Sequence, residues 1–129
     1  MQTVRGKAYN LARYKQIIDY SGLLYERGIT PTDIDGAIDF GDSLFIFIEL
    51  KHGENKMKVG QRLCLERLCD GMAKTRTACV LVANHSVEPE QEIDAAICLV
   101  SEYRWRGKWI EPKVATTLKG AIEKFRNIL

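Results

Sequence analysis

No apolar run in the sequence approaches the roughly 20 residues that a membrane-spanning helix requires, so no membrane partner is expected. The opening stretch MQTVRGKAYNLARYKQ lacks the apolar core of a secretory signal, which makes the cytoplasm the expected compartment. Histidine is scarce: His52 and His85 are the only two, each following an apolar run with no partner at ligand spacing. The four cysteines, Cys64, Cys69, Cys79 and Cys98, include no CxxC pair. Zinc sites draw on closely spaced thiolates with histidines near them, so a zinc site is not expected. Each cysteine sits among apolar residues and reads as a buried reduced thiol. There is no repeat, low-complexity tract or Pro/Gly/Ser-rich linker, and 129 residues suit a single domain spanning 1–129. A hydrophobic share of 46% beside 28% charged residues is the composition of an ordinary soluble globular chain.

Net charge is only +2, but its distribution is uneven. Residues 31–55 hold six acidic side chains and one basic, whereas residues 1–30 hold five basic and two acidic, and residues 56–76 six basic and two acidic. Residues 77–100 are acidic again and 101–129 basic. An acidic centre between basic segments suits a metal site surrounded by phosphate-binding cations.

Apolar spacing predicts a helix over residues 10–26, stopping at Gly28 before the Pro31 turn. A hairpin follows: one strand over 34–40, turn chemistry at Gly41-Asp42-Ser43, and a second strand over 44–51. The run LFIFIEL is apolar on both faces, which predicts a central strand. Residues 52–55 read as a loop and 59–73 as a helix. That helix should turn Gln61, Cys64, Leu65, Leu68 and Met72 inward and Arg62, Glu66, Arg67 and Asp70 outward. The β-branched run TACVLVA over 77–83 is another buried strand, so a parallel crossover is expected. An acidic loop over 84–94, a strand over 95–103, a hairpin over 104–110 turning at Arg106-Gly107-Lys108, and a helix over 116–129 complete an α/β fold with a central mixed sheet flanked by helices.

The chemistry lies in TDIDGAIDFGDSLFIFIELK, residues 32–51. Alternation along a strand points Glu49 and Lys51 to one face and Leu50 to the other. Charges ending a buried strand are costly unless they have a task. Phosphodiester hydrolysis combines an anionic substrate with a poor leaving group, and a divalent cation relieves both problems. Mg²⁺, with Mn²⁺ as a substitute, takes hard oxygen ligands and needs only one or two carboxylates. Asp35 and Glu49 are the candidate carboxylates, and the Leu50 carbonyl a further ligand. Lys51 is positioned to orient the attacking water or to stabilise transition-state charge. Asp33, two residues before Asp35, is a candidate for a second metal or for orienting water, Gln61 for hydrogen-bonding the water or the metal's ligands, and Glu26 for leaning over the site from the end of the first helix. The alternative for Gln61 and Glu26 is a helix-end residue and a surface charge.

With these residues in hand, the chain resembles the PD-(D/E)XK nuclease superfamily. The likeness rests on Asp35, a hairpin, Glu49-Leu50-Lys51, a helix beginning near Gln61 and the strand TACVLVA, and covers residues 10–83. The text around these motifs is similar to small phage-encoded members, Holliday-junction resolvases and virus-type replication-repair nucleases. The resemblance implies a restriction-endonuclease-like core of αβββαβ-type order. It also implies Mg²⁺-dependent cleavage of nucleic acid, expected to be DNA, by an endonuclease of phage or host DNA processing, in the host cytoplasm if phage-encoded. Asp35 and Glu49 would be its ligands and Lys51 the catalytic lysine. The family often places Pro directly before its first acid, whereas Pro31 here stands two residues before Asp33 and four before Asp35. Gly36 and the acid-x-acid pair point to Asp35 as the primary ligand.

Nucleic-acid contacts are expected from Lys56, Lys58 and Arg62 and from Arg104, Arg106 and Lys108 in the basic-aromatic stretch YRWRGKW. Its rings, Tyr103 and Trp105 with Trp109 as a candidate third, are expected to pack against the sheet. A homodimer is a candidate assembly, because so small an enzyme offers little surface to span two strands. Two rival readings keep the fold without cleavage: a nucleic-acid-binding protein and a phage interaction protein. Both leave acids that repel phosphate unexplained.

Overall fold

The computed structural model describes residues 2–4, 7–9 and 18–128. The chain, read above as one domain, gathers into two compact units, Met1–Pro31 and Thr32–Leu129. In the first, β1 (Gln2–Val4) pairs antiparallel with β2 (Lys7–Tyr9). The helix expected over 10–26 lies outside the described residues as far as Ile17. Its described remainder is not α-helical: Ser21–Leu23 and Glu26–Gly28 are single 3-10 turns. The reason is local. Asp19 Oδ1 accepts a hydrogen bond from the Ser21 N–H at 2.9 Å, and such short-range side-chain acceptors compete with helical bonding.

The second unit carries a five-stranded mixed sheet in the order β3-β4-β5-β6-β7 with two helices. Its strands are β3 (Gly36–Asp39), β4 (Leu44–His52), β5 (Thr77–His85), β6 (Leu99–Trp105) and β7 (Lys108–Ile110). The helices are α1 (Val59–Met72) and α2 (Leu118–Asn127). The expected turn at 41–43 joins β3 to β4, with Gly41 at φ +87, a left-handed conformation that glycine adopts without strain. The expected parallel crossover is present: β4 and β5 pair in parallel across α1, from Leu44 opposite Thr77 to His52 opposite His85. β4 is interior, between β3 and β5, and β5 takes the exact middle.

The element order in this unit is ββαβββα. Within this unit only one hairpin precedes α1, so its sheet lacks the third leading strand of the expected αβββαβ order. The connection from Thr32 to Lys58 is used up by β3, β4 and their loops. Residues 95–98, expected as strand, instead begin with a 3-10 turn at Ala95–Ile97 capped by Asp94. No helix among the described residues is long and apolar enough to cross a membrane.

Alternation splits the core into two layers. Leu44, Ile46, Cys79, Leu81 and Val100 face α2, packed with Leu118 and Ala121. Phe47, Ala78, Val80 and Val82 face α1, packed with Leu65 and Cys69. The cysteines are free thiols, and burial pushes Cys69 up to about 11 and Cys79 up to about 12, so these two are packed as inert small hydrophobes. Tyr103 and Trp105 lie against Phe125 of α2, with ring centroids 5.8 and 5.0 Å away. Trp109 pairs across the strands with Arg104 and so packs in the other layer, beside α1.

α1 is turned from its expected aspect. Leu68 is exposed and Cys69 buried in its stead. Arg62, Glu66 and Asp70, expected in solvent, form one row with four-residue spacing that meets β6 and β7.

Candidate active site

β3 begins at Gly36 opposite Ile48, so it stops just short of the level of Glu49. Phe40 N–H bonds the Leu44 carbonyl at 2.9 Å, which fixes the alternation of the hairpin. Even-numbered residues of β4 therefore direct both backbone groups toward β3. At Leu50 β3 has already run out. The Leu50 N–H instead donates to Asp35 Oδ2 at 2.8 Å, and its carbonyl faces the same side. Asp35 is thus held at the open end of β3 by the backbone of the strand that carries Glu49.

Glu49 is only 3% exposed, the one buried charged residue among those described. Its Oε1 accepts from Gln61 Nε2 at 2.6 Å and lies 3.4 Å from Lys51 Nζ. Its Oε2 is buried with no hydrogen-bond partner. Burial pushes the Glu49 carboxyl above the ordinary carboxylate range, and the like charge of Asp35 pushes the same way. The Gln61 amide and the Lys51 ammonium pull it back. An orphaned buried oxygen beside a second carboxylate is the arrangement a hard cation relieves.

Asp35, Glu49 and the Leu50 carbonyl fit Mg²⁺ or Mn²⁺, which keep several waters and need one or two carboxylates. No group of three or more His, Cys, Asp or Glu side chains able to hold a metal occurs among the described residues. Asp33 therefore does not join the pair. Asp33 and Asp35 both precede β3, which starts only at Gly36, so no strand alternation aligns them. Glu26 belongs to the first unit, while the site is built from the second.

The expected nucleic-acid contacts divide. Lys56 and Lys58 are exposed in the connection from β4 to α1, at the same sheet end as Glu49. Arg62 is engaged internally, 2.6 Å from Glu102 and 4.2 Å above the Trp109 ring. Arg104 makes a two-pronged contact with Asp70 at 3.2 and 2.6 Å, which holds the Asp70 carboxyl below its ordinary value. Arg106 lies in the β6–β7 turn and Lys108 directly follows it. β6 runs antiparallel to β5, with Leu99 opposite Asn84 and Arg104 opposite Val80. That turn therefore lies toward the sheet end away from Glu49.

One residue of the site was hidden in the sequence. Asn84, placed in a loop by its polar neighbourhood, is in β5 opposite Lys51 and on its face. Its Nδ2 donates to the carbonyls of Gly53 at 2.6 Å and Asn55 at 3.3 Å, which fixes the amide orientation. Its Oδ1 is buried without a partner. A polar residue directly after a buried parallel strand, like Glu49 and Lys51 after theirs, was the available signal.

Comparison with known proteins returns no match: no family model, curated protein or solved structure matches the chain.

Proposed function

We propose that this protein is a divalent-metal-dependent nuclease of the PD-(D/E)XK kind, with a restriction-endonuclease-like core, acting on DNA. The observation that carries this reading is the buried, unpartnered Glu49 Oε2 beside Asp35. A fold with no use for a cation gains nothing from two adjoining carboxylates and an orphaned acceptor at the end of its most apolar strand.

When bound, the cation supplies Lewis-acid stabilisation of charge on the phosphate and lowers the pKa of water. The chain does the rest. Asp35 is oriented by the Leu50 N–H, and Glu49 by Gln61 and Lys51, so the ligand oxygens are held before any substrate arrives. Lys51 has an ammonium 3.4 Å from Glu49 and is a fifth exposed. It is thus anchored at one side and open to a phosphodiester at the other, where it positions the attacking water or offsets negative charge in the transition state. Lys56 and Lys58 supply phosphate contacts beside this centre.

The test is incubation with supercoiled plasmid, single-stranded DNA and a four-way junction in Mg²⁺, Mn²⁺ or EDTA, alongside Glu49→Ala and Lys51→Ala. Cutting that requires metal and disappears in both variants is the expected result. Tight binding with no cutting in any metal would establish a binding protein on the same fold.

A further inference from the structure

Across β5 from Glu49 lies a groove of about 480 Å³, within the roughly 300–1,000 Å³ of small-ligand sites. Its lining includes Met57 and Val82, which are buried, and Leu99, which is 52% exposed. Lys56, Asn84 and Glu111 add polar groups, and the loop that begins at Gly53 forms one wall. Val82 is in register with Glu49, and Asn84 with Lys51. Neighbouring strands are about 4.8 Å apart, so the groove starts one strand away from the site and on its face of the sheet.

We propose that this groove takes one unpaired nucleobase of the strand whose phosphodiester lies at Glu49 and Lys51. The inference rests on the nuclease reading and adds a substrate class to it: a strand with at least one base free of its complement. The lining selects for the base rather than the phosphate. Glu54, Glu102 and Glu111 border the groove against a single lysine, Lys56, and Glu102 is already neutralised by Arg62 at 2.6 Å. That balance repels an anion. The exposed apolar side chain of Leu99, with the buried Met57 and Val82 as the floor beside it, instead matches the flat face of a base. Asn84 Oδ1, a buried acceptor with no partner, matches the ring N–H or exocyclic amine at its edge. A base within a duplex has that edge occupied by its complement.

The protein is titrated in EDTA, which prevents cutting, into a thymine-rich single-stranded oligonucleotide carrying one 2-aminopurine and a distant dye. Emission of 2-aminopurine rises when it leaves its stacked neighbours, and dye anisotropy reports binding independently. The expected result is a saturable, several-fold rise with the native protein. Leu99→Glu and Leu99→Trp, at an exposed position, reduce that rise roughly tenfold while anisotropy still reports binding. Binding without an emission change, a rise that persists in both variants, or no binding of the single strand each overturns the proposal. If plasmid or junction cutting remains metal-dependent while the emission test fails, the pocket falls and the nuclease stands. If base capture succeeds and no metal supports cutting, the reverse holds.

Discussion

Two charged clusters occupy the α1 side of the sheet, and α1 contributes to both: Gln61 to one, and Arg62, Glu66 and Asp70 to the other. Around Trp109, each carboxylate has a donor: Glu66 takes the indole N–H at 2.6 Å, Asp70 takes the Arg104 guanidinium, and Glu102 takes Arg62. Arg62 and Arg104 also lie over the indole, 4.2 and 5.8 Å from its centre. Around Glu49, two carboxylates adjoin and one oxygen has no partner at all. The first cluster is complete within the chain, and it locks α1 to the last two strands. The second leaves one buried acceptor unmatched, and under the proposed function that is where a cation would bind.

The comparison breaks if the two clusters respond alike to mutation. The largest contrast is expected in activity. Glu49→Ala and Lys51→Ala should each lower metal-dependent cleavage by roughly 10³-fold, the scale of losing a preorganised electrostatic contact. Arg104→Lys, assayed at a temperature where it is folded, should stay within a few-fold of native turnover in the same gel assay.

Next comes stability. Trp109→Ala should cost about 3 kcal/mol in denaturant unfolding, because it removes a large packed ring and strands Glu66. Equal loss of stability from Glu49→Ala would erase the distinction.

Glu49→Gln should instead stabilise the metal-free protein by about 1 kcal/mol at pH 7. Its carboxyl is raised above the ordinary range by burial and by Asp35, so over the window just above that range the folded state holds a proton the unfolded chain has released. Stability from this group is therefore full below the usual glutamate pKa of about 4.3 and declines as pH rises. The advantage of the Gln variant should shrink to nothing as pH falls to that value. Mn²⁺ should reverse the order, raising the melting temperature of the native protein but not of the variant.

The smallest effect is expected at the β6–β7 turn. Arg106 sits at φ +50 ahead of Gly107 at φ +77, and Arg106→Asn should gain roughly 0.5 kcal/mol in the same melts, since Asn tolerates the left-handed region better.

Much of this site was legible because strand period and apolar runs are strong signals. LFIFIEL announced an interior strand, alternation put Glu49 and Lys51 on one face, and a strand–helix–strand order implied the parallel pair that the structure contains. What was not legible depends on partners distant in sequence. The pairing of Arg62 with Glu102 spans 40 residues, and that of Arg104 with Asp70 spans 34, so their side chains read only as cations available for phosphate. Trp109 packs in the layer opposite Tyr103 and Trp105 because the two-residue turn re-sets alternation between β6 and β7. The stretch 18–26 read as helix because apolar spacing is blind to the Asp19–Ser21 bond that competes with it.

The Asn84 amide has a mechanical consequence. By clasping the carbonyls of Gly53 and Asn55, together with the Gly53 N–H bond to His85 O at 2.6 Å, it ties the start of the crossover to the end of the neighbouring strand. The spacing between the carboxylate on β4 and the amide on α1 is therefore set by a stapled linker of fixed length. One residue inserted between 53 and 58 would leave the sheet intact, yet carry Gln61 out of reach of the glutamate it steadies.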